Sequence, residues 1–253
     1  MEDYTWDELS QISAEIASAG DEAAGIEVAK KYNLCTADGK LDGTQVKSVT
    51  LSDGTQATVQ IIGFNHDDKT AGGKAGISFI FGSAVTEMAM NPSDVNAGGW
   101  EASQLRAYLN SDGMFLLPQE LAAKIVAVDK LTNNVGQTES VSSVSTTSDQ
   151  LWLPSATELC GTIGWFGDRH SYDGIFNAEG SEYLLYRNMA VVSTTSNDIL
   201  VKTYNGEACY WWGRSPFPDS PGSFLRVDSL GHPSAIALGG ATNSFGVAPG
   251  FCI

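Results

Sequence analysis

The sequence predicts a single α+β domain, and three features point there. The first forty residues carry helical periodicity. Gln45 to Phe64 carries β-branched alternation around a turn, and from Cys209 onward the chain breaks into short runs separated by glycine and proline. No repeat or shift in composition divides the 253 residues, so one domain is expected over 1–253, with a helical N-terminal part at 1–40.

Each element has its own signal. Thr5 followed by Glu8 fits a capping box, and Leu9, Ile12 and Ile16 fall on one face of the helix it opens. Asp21 can cap a second helix reaching about Tyr32. Gln45–Leu51 and Thr55–Phe64 read as a hairpin around Ser52-Asp53-Gly54, and Gly76–Phe81 as a short buried strand. Ala102–Leu109 is helical with Leu105 and Leu109 inward, and Pro118 opens another helical turn with Leu121 and Ile125 on its apolar side. The polar stretch from Thr132 to Ser148 is a loop or a loose hairpin. Leu151-Trp152-Leu153 reads as a strand, Ser155 with Glu158 as a second capping box, and Gly164 to Gly180 as a loop.

Composition narrows the function. Hydrophobic residues make up 42%, enough for a real core, while only 17% of residues are charged and 27 are glycine, as in a loop-rich protein. Thirty acidic residues against 14 basic ones give a net charge of −16. That field repels phosphate, which argues against nucleic acid and anionic membrane as partners. The longest apolar run, Ala75–Val85, is broken by Gly76, Ser78, Gly82 and Ser83 and falls short of the roughly 20 residues of a spanning helix, so no membrane insertion is expected. The N-terminal MEDYTWDELS is acidic and amphipathic, unlike a signal peptide. It fits an intracellular protein or one whose leader has been removed.

Candidate chemistry is sparse. His66-Asp67-Asp68 reads better as a solvated turn than as a metal site, because it has no partners at ligand spacing. Ala71–Gly76 matches neither phosphate-binding glycine pattern and reads as a flexible loop. Asp168-Arg169-His170 and His232 suggest acid–base chemistry, but no GxSxG, HExxH or paired-carboxylate motif accompanies them. Cys35, Cys160, Cys209 and Cys252 form no CxxC, which argues against a four-thiolate zinc site; they read as free buried thiols, with a disulfide open to any pair that meets. Cys209 and Cys252 could together hold a soft metal such as copper, or simply fill apolar space. The segment Cys209–Ile253 carries seven aromatics, including the pair Trp211-Trp212, of which a strand would turn one inward and one outward. Trp211, Val227, Val247 and Phe251 read as core.

The blocks IIGFNHDD (Ile61–Asp68), GGWEASQLRAYLN (Gly98–Asn110), LWLPSATEL (Leu151–Leu159), YWWGRSP (Tyr210–Pro216) and GVAPGFCI (Gly246–Ile253) resemble a domain-of-unknown-function family of bacterial, archaeal and phage proteins. The resemblance runs from about Trp6 to the last residue and implies a C-type-lectin-like fold: small irregular antiparallel sheets, two or more helices and long loops. That fold group includes the variable proteins of diversity-generating retroelements, whose C-terminal segment is massively varied and displayed on a fixed scaffold to bind ligand.

Carried over, the framework here is Trp211, Arg214, Ser215, Pro216, Val227, Gly231, Gly246, Val247, Pro249 and Phe251. The candidate ligand-binding positions within a variable segment at 205–253 are Tyr210, Trp212, Gly213, Phe217, Asp219, Phe224, Arg226, Asp228, His232, Ser234, Ile236, Leu238 and Thr242. The resemblance thus implies a non-enzymatic receptor- or adhesin-like protein that binds another protein or a surface glycan without a cofactor. Such proteins are commonly found at a cell surface, secreted or associated with a phage particle. Neither a Glu-Pro-Asn nor a Trp-Asn-Asp triplet is present, so no calcium or other metal is expected at the site. Two rival readings stay open. One is a formylglycine-generating-type oxidase using Cys209 and Cys252, and the other is a structural adhesive module without a discrete pocket.

Overall fold

A computed structural model describes residues 1–163 and 172–253, with the backbone alone for 234–239. The first helix, α1 (Trp6–Ser18), begins at the capping box. The Thr5 hydroxyl accepts from the Glu8 amide at 3.2 Å, and the Thr5 amide donates to the Glu8 carboxylate at 2.8 Å. Trp6, Leu9, Ile12 and Ile16 are buried beneath it. Asp21 caps α2 (Glu22–Lys31) by accepting from the Ala24 amide. The hairpin follows as β1 (Val46–Thr50) and β2 (Gln56–Phe64), then β3 (Ile77–Phe81), buried at every position, and the short β4 (Thr86–Met88).

Ser103 caps α3 (Gln104–Leu109), and α4 (Gln119–Ala122) starts after Pro118. The polar stretch resolves as a hairpin of β5 (Val128–Asn133) and β6 (Val144–Asp149), so the loose-hairpin alternative holds. The second capping box opens α5 (Ala156–Cys160), and α6 (Asp173–Asn177) and α7 (Leu184–Asn188) follow. The remaining strands are β7 (Lys202–Tyr204), β8 (Glu207–Cys209), β9 (Trp211–Pro216), β10 (Ser223–Val227), β11 (Pro233–Gly240), β12 (Phe245–Val247) and β13 (Gly250–Cys252).

These strands form a four-stranded sheet in the order β1-β2-β3-β13 and a five-stranded sheet in the order β11-β10-β9-β12-β4, beside the β5–β6 and β7–β8 hairpins. The architecture is α+β with small sheets, antiparallel throughout except where β12 runs parallel to β9. The chain passes from the second sheet into the first between β12 and β13, and Phe251 then stacks on Phe79 at 5.1 Å with Trp6 edge-on to both rings. The Ser13 hydroxyl donates to the Ile253 carbonyl, tying α1 to the end of β13.

Four local readings change. The loop read over Gly164–Gly180 contains the helix α6, while its residues 164–171 lie outside the described residues. Leu151–Leu153 makes no strand of its own: Trp152 forms a single bridge to Gly250, whose missing side chain leaves room for the indole. The glycines after Ala71 turn an ordered corner rather than a loose loop. The Lys69 amide donates to the Gly73 carbonyl, and Lys74 pairs with Asp68 at 2.8 Å. The β7–β8 hairpin was not anticipated, although Asn205-Gly206 carries its signal. Both residues have positive φ, 51° and 85°, as a type I′ turn requires.

Trp211 and Phe251 are fully buried. Trp211→Ala or Phe251→Ala should therefore lower the unfolding free energy by about 3–5 kcal/mol in urea denaturation, whereas Thr242→Ala, at an exposed turn, should change it by no more than about 0.5 kcal/mol.

Candidate functional site

Two regions concentrate chemistry, one inside the fold and one on its surface. Inside, the turn after β2 carries Asp67, which is only 5% exposed. This corrects the solvated-turn expectation. The Asp67 carboxylate accepts from Lys130 Nζ at 2.7 Å, from the Ser78 hydroxyl at 2.6 Å and from the Tyr183 hydroxyl at 3.0 Å, with the Cys252 thiol at 3.3 Å. Lys130 also reaches Glu158 at 2.6 Å and lies 3.9 Å from the centroid of Trp152, which is stacked in parallel on Tyr183. Glu158, held by the α5 capping box, takes a bidentate pair from Arg214, which is 0% exposed. The remaining Arg214 donors go to Thr132 Oγ1 and to the carbonyls of Leu131, Leu153 and Glu179.

Two cations thus face two carboxylates with almost no exposure to solvent. Burial alone would raise the acids, but Lys130 and its hydrogen bond hold Asp67 well below the usual carboxylate range, and Arg214 and Lys130 lower Glu158. A fifth group, Glu179, forms no ion pair among the described residues. Burial pushes it up to about 7, although it accepts from the Asn133 amide and the Ser215 hydroxyl. Tyr183 and Cys252 are raised well above their ordinary values, by burial first and then by the Asp67 charge. Packed in this way, the network ties β5, α5 and β9 to the turn after β2.

The surface region lies on the five-stranded sheet. Arg226 places its guanidinium 4.4 Å from the ring centroid of Tyr210 and 5.5 Å from that of Phe245. Phe245 in turn packs on Trp212 at 4.6 Å and on Tyr210 at 5.6 Å. Tyr210 is 39% exposed, and Leu230, in the turn between β10 and β11, is 71% exposed.

The thirteen predicted positions divide accordingly. Tyr210 and Arg226 meet. Asp228 and His232 are half-buried in the β10–β11 turn, where the Asp228 carboxylate accepts from the amides of Leu230 and His232, so Asp228 organises that turn. Asp219 and Thr242 are exposed but lie at the other end of the sheet, where Ser223 pairs with Gly240 and the Ala241 amide bonds the Gly222 carbonyl.

Trp212, Gly213, Phe217 and Phe224 are buried and correct the expectation of display. The central strand β9 is covered on both faces. The Trp212 indole donates to the Met88 carbonyl, Phe217 meets Phe176 edge-on, and a side chain at Gly213 would run into Leu225. The expectation of one outward Trp fails for the same reason, since Trp211 is likewise buried and donates to the Leu200 carbonyl. The side chains of Ser234, Ile236 and Leu238, and all of Asp168, Arg169 and His170, lie outside the described residues. Sequence reasoning missed Phe245 and the groove residues Glu87, Tyr204 and Glu207 beside Tyr210. The Asn-Gly turn between Tyr204 and Glu207 was the one available signal.

Cys209 and Cys252 sit in different sheets, and both are free. Cys252 faces Asp67 and Ser78, while the Cys209 thiol lies against the Lys202 carbonyl. Among the described residues, no three His, Cys, Asp or Glu side chains gather as a metal site, and no helix is long and apolar enough to cross a membrane.

The pH dependence of stability should expose Glu179. An unfolded glutamate loses its proton near 4.5 and the folded one near 7. Between these values the native state binds more protons, so its stability falls as pH rises and is flat above about 7. Burial lowers the pKa of His66, which acts in the opposite sense over part of this window, so the informative quantity is the difference from a variant. From pH 5 to 7.5, Glu179→Gln should gain on the order of 3 kcal/mol relative to the parent protein in denaturant titrations. A constant difference would show that Glu179 stays ionised throughout.

Comparison with known proteins places the chain in a family without giving it an activity. Neither a curated protein nor a solved structure matches it. The family model described as Domain of unknown function (DUF6273) matches residues 76–253, which include the interior network except for Asp67 and the whole aromatic surface, and the chain belongs to that family.

Proposed function

We propose that this is a non-enzymatic binding protein of C-type-lectin-like build that meets a protein or surface-glycan ligand through the face carrying Tyr210, Arg226, Leu230 and His232. The supporting observation is the cluster of exposed Tyr210 with half-buried Arg226 and Phe245. Aromatic side chains give large contact area at low entropic cost and arginine is favoured at binding hot spots; here Tyr210 stands just before β9 and Arg226 on β10. Small antiparallel sheets, short helices and long loops suit the C-type-lectin-like reading. Exposed side chains at Tyr210 and Leu230 above a buried interior suit the retroelement-type display reading.

A library randomised at Tyr210, Arg226, Leu230 and His232 tests this. Most members should unfold cooperatively within a few degrees of the parent, and selection on immobilised lysozyme should enrich binders. If most members fail to fold, or if folded members give no enrichment, the face is not a display surface. Because no calcium-binding triplet is present in the sequence, the unfolding temperature should be the same in calcium and in chelator. A rise of several degrees in calcium would instead favour sugar binding through the metal.

A further inference from the structure

Beside Tyr210 lies an open groove of about 560 Å³, lined by Tyr204, Tyr210, Phe245, Glu87 and Glu207 among others. Glu87 stands on β4, the outer strand of the five-stranded sheet, while Tyr204 and Glu207 flank the Asn205-Gly206 turn of the β7–β8 hairpin. Both carboxylates are exposed, and among the described residues neither is in an ion pair.

We infer that this groove receives a cationic side chain, the guanidinium or ammonium group of an arginine or lysine on a partner protein. The chain already shows that these rings accept such a group, because Tyr210 and Phe245 hold the Arg226 guanidinium at 4.4 and 5.5 Å. Ring faces attract a cation through their quadrupole, and two carboxylates at the same place add direct charge pairing. The Glu87 charge, after burial, raises the Cys209 thiol, so this carboxylate acts on the groove wall. A net charge of −16 draws a basic partner toward the surface from a distance, and the groove then fixes where it docks. The groove is open to solvent, so it admits a side chain carried on a larger surface. The inference deepens the binding-surface reading and rests on it.

The probe is a fluorescein-labelled hexapeptide of alternating glycine and arginine, with its citrulline counterpart as the uncharged control, read by anisotropy at low ionic strength. The parent should bind the arginine peptide and not the citrulline one. Glu87→Gln/Glu207→Gln should weaken binding about tenfold or more, and Tyr210→Leu several-fold. Asp112→Asn/Glu120→Gln, which removes the same charge at exposed sites lining no part of this groove, should change binding less than twofold. Circular dichroism and unfolding midpoints should match the parent in all three variants.

Equal loss in the Asp112/Glu120 variant, equal binding of the citrulline peptide, or no binding by the parent would overturn the assignment. If any of these occurs while the surface library still yields binders, the cation inference falls and the binding face stands. A library that folds without yielding binders removes the binding face itself.

Discussion

Four charged side chains form a buried chain of ion pairs, Asp67 to Lys130 to Glu158 to Arg214, and the elements that carry them must meet for it to close. They come from the turn after β2, from β5, from α5 and from β9. A buried ion pair rarely adds much net stability, because desolvation offsets the attraction, but removing one partner leaves a charge that nothing compensates. The network therefore acts as a condition on geometry. Elements far apart in sequence must arrive together and in register, or the charges stay unpaired. Arg214 shows how strict the condition is, since acceptors stand at each of its nitrogens and three of them are backbone carbonyls from separate segments.

This interior explains why the surface can be undemanding. Trp211, Trp212, Phe217 and Phe224 lie within the packing, while Tyr210, Leu230 and His232 lie above it and carry little of its weight. The division follows the order of strands. β9 sits in the middle of its sheet with both faces covered, so none of its side chains reaches solvent, whereas the turns and the residue before β9 do. The binding proposed for this face asks little of the fold beyond rigidity.

Much of this was legible from sequence wherever the signal was local. The capping boxes at Thr5 and Ser155, the Asp21 cap and the Ser52-Asp53-Gly54 hairpin depend on residues a few positions apart, and the structure keeps all of them. The buried network was not legible, because nothing near Asp67 announces Lys130, Tyr183 or Cys252; the turn pattern around it is the same for a solvated carboxylate. The alternation rule separated Trp211 from Trp212 but said nothing of what lies on the second face. There Phe245 and Met88, from other strands, close over the ring.

The last strand carries a further consequence, one of timing. β3 finds its first neighbour, β2, almost at once, but its second edge waits for Gly250–Cys252. Contacts this distant in sequence slow folding, because a long loop must close before they reward it. During synthesis the apolar edge of β3 and the ring of Phe79 stay without the partner that Phe251 supplies until almost the entire domain has emerged. The protein thus resembles a clasp whose catch is made last, and until it shuts the open edge of β3 is exposed to pairing with a wrong strand.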